Sequence, residues 1–201
     1  MTAAALPGSH TQRSVLLLNH SFVRRFGVFL QHAEPPVYPD LDLPGSGVQF
    51  VVHGRGGRTV PSLLQHDIGV VRILRPWMVI LEIGSNDLCI PHIRPETVGS
   101  AIDDLCGILL GLGVHRIYVC QTLRRLNTLD PEYNDKVLLL NHYCDVVFAD
   151  RPEVVYWHHR GMWNSTIPVF RPDGIHPNDH GMVRLYRSYR GAVLNALSVR
   201  M

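Results

Sequence analysis

Short apolar runs of strand length alternate along the chain with longer stretches in which apolar residues recur every three to four positions, and turn residues stand between them. Residues 15–18 read as a buried first strand, and from Phe22 onward Val23, Phe26 and Leu30 fall at helix spacing. The stretch 34–46 holds Pro35, Pro36, Pro39, Pro44 and Gly45, which interrupt any regular hydrogen-bond ladder and predict a loop. Residues 48–52 form a second strand, followed by the glycine-rich 53–57 and a helix over about 61–74. Residues 77–83 are a third, continuously apolar strand. A helix over 95–112 has proline at its first turn and Gly113 just beyond its end. Strands at 117–120 and 154–157 then bracket a helix at 132–149, and the last helix covers about 178–197.

Strands that are apolar on both faces and joined by helices require a parallel sheet covered on each side, and right-handed crossovers wind it into an α/β/α sandwich. The expected architecture is therefore α/β, three-layered, with a five-stranded parallel sheet of flavodoxin-like type. It forms one domain over 15–198, behind an N-terminal extension at 1–14. Ligands of such sheets gather at the carboxyl ends of the strands. Those positions here hold Asn19-His20-Ser21, the segment 54–59, Gly84-Ser85-Asn86-Asp87 and Gln121-Thr122.

Composition narrows the classes. With 201 residues, 46% hydrophobic, 18% charged and a formal net charge of +2, the chain has material for a sizeable core and lacks the polarity of a disordered one. The longest apolar runs, such as 77–81, fall far short of the roughly 18 residues that cross hydrocarbon, and 1–14 has no basic cluster leading an apolar segment. Cys89, Cys106, Cys120 and Cys144 stand apart with no Cys-x-x-Cys pair, the usage of reduced thiols in an intracellular, cytoplasmic protein. The overall charge balance does not announce nucleic acid. Residues 181–201, however, carry Arg184, Arg187, Arg190 and Arg200 and no acid. They are read first as the solvated side of a terminal helix, with nucleic acid as a secondary partner reading.

Taken singly, Ser21 is a helix cap, Gly84-Ser85-Asn86-Asp87 a turn, and Asp173-Gly174-Ile175-His176 a loop. Their joint order says more. Acyl transfer by serine needs a hydroxyl, an imidazole to take its proton, a carboxylate to hold that imidazole, and donors aimed at the developing oxyanion. Ser21 fits the nucleophile, His176 the base and then acid, and Asp173 the orienting carboxylate. The backbone N–H groups of Ser21 and Gly57 and the side-chain amide of Asn86 fit the oxyanion hole. Gly57 suits a backbone that approaches a ligand closely, having no Cβ. A rival metal reading joins His176, His180 and Asp173, with His158 and His159 nearby. It is weaker, because Pro177 delays the helix that would align the two histidines. No metal or cofactor is called for. The signatures Gly-x-Ser-x-Gly, Gly-x-Gly-x-x-Gly and Gly-Lys-Ser/Thr are missing.

A serine after the first strand, a glycine after the second, Gly-x-Asn-Asp after the third and Asp-x-x-His before the last helix together resemble the SGNH hydrolases, the GDSL-type esterases and lipases, over nearly the whole chain. The resemblance implies ester hydrolysis by Ser21, His176 and Asp173, an oxyanion hole completed by Gly57 and Asn86, and no metal. The wording of 21–25, 54–57 and 185–192 is similar to SGNH domains encoded in transposable elements, which implies a role for the basic last helix near nucleic acid. One departure stands out. The family has Gly-Asp before its serine, where this chain has Asn19-His20. A side chain then sits where the backbone turns and a carboxylate is lost, and loosening one oxyanion donor costs about 10²–10³ in rate. The expected function is hydrolysis of a small acyl ester through an acyl-serine. The alternative is a catalytically weak or inactive module of this fold that binds nucleic acid or a protein partner.

Overall fold

The computed structural model describes residues 13–32, 34–43, 46–163 and 166–199. In chain order the elements are β1 (Arg13–Asn19), α1 (Ser21–His32), β2 (Val48–Gly54), α2 (Val60–His66), α3 (Ile68–Leu74), β3 (Met78–Glu82), a 3₁₀ turn (Asp87–Cys89), α4 (Pro95–Gly111), β4 (Arg116–Cys120), α5 (Tyr133–Phe148), β5 (Val154–Trp157) and α6 (Asp179–Ser198). All pairings are parallel, in the order β2-β1-β3-β4-β5. This is the expected α/β/α sandwich.

The strand period of two divides the core cleanly. Val15, Leu17, Met78, Ile80 and Tyr118 point to the face covered by α1 and α6. Leu16, Leu18, Val79, Leu81 and Val119 point to the face covered by α2 to α5. Both faces of β1 and β3 are thus covered, which is why residues 15–18 and 78–81 are continuously apolar. The edge strand β2 is only half-buried along its length.

Four boundaries differ from expectation. The helix placed at 61–74 is two helices, broken at Asp67. The buried Asp67 carboxylate turns inward to accept hydrogen bonds from Arg58 Nε at 2.5 Å and His53 Nε2 at 2.9 Å, and apolar periodicity alone does not reveal that. His53 and Gly54 continue β2 rather than opening the turn after it. The third strand stops at Glu82, short of Gly84, whose φ is +100° and where a Cβ would lie 2.8 Å from a Leu140 methyl, so that only glycine fits. Of the N-terminal extension, residues 1–12 lie outside the described residues, whereas Arg13 and Ser14 begin β1.

The four cysteines are free thiols, and all but Cys89 are buried. Among the described residues no helix is long and apolar enough to cross a membrane.

Candidate active site

Three loops at the carboxyl end of the sheet carry the site. The first is the junction of β1 and α1. His20 is buried there, its Nδ1 accepting the Phe22 N–H at 3.3 Å and its carbonyl accepting the Arg24 N–H at 3.2 Å, so this imidazole caps α1. Burial, assisted by the nearby charges of Arg125 and His176 and opposed by Glu82, lowers its pKa to about 4, and it is neutral at pH 7. Ser21 is the first residue of α1, at the positive end of the helix dipole. At the departure Asn19-His20, the histidine ring itself accepts a helix N–H, and Glu82 on the neighbouring strand is paired in register with Asn19.

The second loop connects β5 to α6. Asp173 Oδ1 accepts the backbone N–H groups of Ile175 and His176, both at 2.9 Å, and its Oδ2 lies 2.8 Å from His176 Nδ1. Although burial works the other way, these amides and the imidazole hold the Asp173 carboxyl well below the usual carboxylate range. Gly174, with φ +66°, is pressed against the Asn127 backbone, where a Cβ would lie 2.7 Å from its nitrogen. Asn178 then caps α6 by accepting the Gly181 N–H at 3.0 Å. On its other side the His176 ring presents Nε2 to Ser21 Oγ at 3.1 Å, across 155 positions of sequence. The phenyl ring of Phe22 packs edge-on against it.

The third loop follows β3. Asn86 Nδ2 donates to the Arg58 carbonyl at 3.0 Å, and its Oδ1 accepts from Arg125 at 3.3 Å, which fixes the amide plane and leaves one N–H of Nδ2 for another acceptor. Arg58 is itself held by Asp67. Asp87 is buried, and its Oδ1 takes the Val60 N–H at 2.8 Å, tying this loop to the start of α2; burial raises its pKa. Gly57 adjoins Arg58 in an exposed turn. Its requirement for glycine comes from φ +75° rather than from crowding, because a Cβ there would meet nothing within 4 Å among the described residues.

The structure therefore brings Ser21, His176 and Asp173 into one hydrogen-bonded line and sets Asn86 on the neighbouring β3 loop. It does not bring the rival metal set together: His180 and His158 are exposed, whereas His159 turns into the core. There Glu82, Cys120 and His159 place ligand-type atoms within 4.8 Å of one another. His159 Nε2 lies 2.5 Å from Glu82 Oε1, and the Tyr189 hydroxyl donates to that same oxygen at 2.9 Å. Burial, reinforced by Glu82, pushes the Cys120 thiol far up, so it stays protonated. These are the marks of a closed hydrogen-bond cluster. Sequence reasoning missed this cluster, and it missed Arg125, which also donates to Cys89 Sγ at 2.8 Å and lies over the Tyr133 ring. A lone acid inside the apolar third strand was the available signal for the first; Arg125 had none beyond its place after β4.

The comparisons bear on the family and the fold. The family model described as GDSL-like Lipase/Acylhydrolase matches residues 19–187. A search of curated proteins returns no match. Among solved structures, a GDSL-like lipase from Bacteroides thetaiotaomicron superposes with a TM-score of 0.75 at 15% identity, covering 96% of this chain and 93% of the other. A catalytic mutant of an acetylxylan esterase from Geobacillus stearothermophilus gives 0.68 at 16%, covering 94% and 95%. A carbohydrate esterase family 3 structure from Talaromyces cellulolyticus gives 0.69 at 16%, covering 92% and 98%. At these identities the likeness is one of fold. Nothing in the comparisons favours a transposon-encoded subgroup. With the matched region running from the first strand into the last helix, the chain belongs to the GDSL-like lipase/acylhydrolase family.

Proposed function

We propose that this protein is a serine esterase that cleaves a small acyl ester through a covalent acyl-Ser21 intermediate. The observation that carries the reading is the 3.1 Å contact between His176 Nε2 and Ser21 Oγ, with Asp173 2.8 Å from the other ring nitrogen. Family membership supplies the reaction class, ester hydrolysis. In the reaction, Ser21 Oγ attacks the ester carbonyl while its proton passes to His176 Nε2. Asp173 keeps the imidazole oriented and stabilises the imidazolium. The oxyanion is met by the N–H of Ser21, the N–H of Gly57 and the remaining N–H of Asn86 Nδ2. His176 then protonates the departing alcohol, and water, activated by the same imidazole, releases the acid. The acetyl esters of the Geobacillus relative motivate a short acyl group.

A fluorophosphonate probe tests the assignment. The protein is expected to be labelled, and labelling is expected to vanish in Ser21→Ala and in His176→Ala while the fold persists. Turnover of p-nitrophenyl acetate is expected in the intact protein and should be lost in both variants; turnover retained in His176→Ala would contradict its role as base.

A further inference from the structure

A groove of about 1030 Å³ lies away from the triad, between the edge strand β5 and α6. One wall is a single stripe of α6, residues 184, 187, 188, 191 and 195, which recur at helix spacing. The opposite wall is three consecutive residues of β5, Val155, Tyr156 and Trp157. A groove that touches consecutive strand residues runs along the strand's backbone edge. On the other face of the sheet a second cavity of about 340 Å³, between β5 and α5, is also lined by Val155 and Tyr156. The two hollows therefore flank the same open edge, one above the sheet and one below. The Tyr156 hydroxyl is buried without a hydrogen-bond partner.

The edge itself is available for pairing. Glu153 and Trp157 direct their carbonyls at β4, accepting from the N–H groups of Ile117 and Gln121 at 2.9 and 2.8 Å. Strand alternation then turns the peptide groups of Val154 and Tyr156 outward. The groove is also basic. Arg160, Arg184, Arg187 and His158 line it and no carboxylate does. Arg184 is engaged by the Gly161 carbonyl, but Arg160 and Arg187 are exposed and without a partner among the described residues.

From this juxtaposition we infer that β5 accepts an extended acidic segment of another protein as a sixth strand. The segment's backbone pairs with the edge at Tyr156. Its alternate side chains enter the two cavities, with carboxylates toward Arg160 and Arg187 on the α6 side. A second copy of this chain is a poor occupant, because pairing β5 with its own symmetry mate brings two sets of these arginines together. A nucleic acid strand would satisfy the charge but not the peptide edge.

The test uses an octapeptide of alternating glutamate and valine, labelled at one end, with fluorescence anisotropy as the readout. Binding is expected, with no binding of the lysine–valine counterpart. Arg160→Glu/Arg187→Glu should weaken binding by about tenfold or more with the unfolding midpoint unchanged, both side chains being free at the surface. Two N-methylated peptides then test the backbone pairing. Methylating all the glutamate nitrogens or all the valine nitrogens blocks one edge of the strand each time, so one peptide should lose binding and the other keep it. Equal effects of the two sets, tighter binding of an oligothymidylate lost in the same double variant, concentration-dependent dimerisation, or no peptide binding would each overturn the proposal. The esterase reading does not enter any of these outcomes.

Discussion

Among the described residues two serine–histidine–carboxylate chains are found, and they differ more in what surrounds them than in their spacing. In one, Ser21 Oγ, His176 and Asp173 are linked at 3.1 and 2.8 Å. In the other, Ser188 Oγ, His159 and Glu82 are linked at 2.8 and 2.5 Å, a tighter line by distance alone. Ser21 begins a helix, so its N–H has no carbonyl four residues back and is free for an oxyanion. Ser188 is in the middle of α6, where its N–H is spent within the helix, and its hydroxyl already accepts the Trp157 indole N–H at 3.0 Å. The His159 side chain is 0% exposed and that of His176 is 19% exposed, so substrate reaches one imidazole and not the other. On the proposed mechanism, alignment of three side chains is insufficient for acyl transfer; the helix start and the nearby donors distinguish the Ser21 set from the Ser188 set.

The largest expected effect separates the two serines. Ser21→Ala should reduce ester turnover by about 10⁴-fold or more and abolish fluorophosphonate labelling. Ser188→Ala should leave both within about twofold, since that hydroxyl has no oxyanion donor to work with. Label on Ser188 in the intact protein, mapped by peptide mass, would remove the distinction.

The two carboxylates should show the reverse ordering in stability. Glu82 is buried, and its pKa is held down by His159, His20 and Tyr189 against the cost of burial. Glu82→Ala strands His159 in the core and should cost about 3–5 kcal/mol in urea unfolding. Asp173 is partly exposed and its contact with His176 lies at the surface, so Asp173→Asn should change stability by under about 1 kcal/mol while sharply lowering turnover. Comparable stability losses for the two variants would show that burial is not what distinguishes the chains.

A smaller effect is expected at the oxyanion side. Asn86→Ala should lower kcat by about 10²–10³ with KM little changed if its second N–H serves the transition state as proposed. Arg125→Gln loosens the amide plane without removing the donor and should cost less than Asn86→Ala. If Arg125→Gln is the more damaging of the two, Arg125 contacts substrate directly.

These expectations also mark how far the chain could be read before its structure. Ser21, His176, Asp173 and Asn86 were legible because each follows a strand or precedes a helix whose apolar period is plain. The sheet was legible because β1, β3 and β4 are apolar on both faces. What escaped were contacts between polar residues distant in sequence. Asp67 breaks a helix to hold Arg58, and Arg58 in turn orients Asn86. Two partners of Glu82, His159 and Tyr189, lie 77 and 107 positions away. Apolar periodicity reports which face of an element is buried, and it carries no information about which buried acid meets which histidine. The capping of α1 by His20 was likewise not legible, because period alone does not say that an imidazole turns back onto the Phe22 N–H.

That substitution also supplies the gentlest test of the comparison. The folded state holds His20 neutral, its pKa lowered from 6.5 to about 4 chiefly by burial. Between those values the unfolded chain binds a proton that the folded chain refuses, so stability rises with pH across this window. The full contribution is present above pH 6.5 and is lost progressively down to about pH 4. At about 1.36 kcal/mol per pKa unit this amounts to something on the order of 3 kcal/mol. His20→Gln keeps a polar cap for α1 but cannot titrate, and its urea midpoint should be flatter than the parent's over that window. Glu82, whose pKa is also depressed, acts at the lower end, its contribution present above the ordinary carboxylate range and fading as acid protonates it. A parent protein whose midpoint does not move between pH 6.5 and pH 4 would mean that His20 accepts its proton in the folded state. It would then be a charged imidazole beside Ser21, and the neutral cap assigned to it would be wrong.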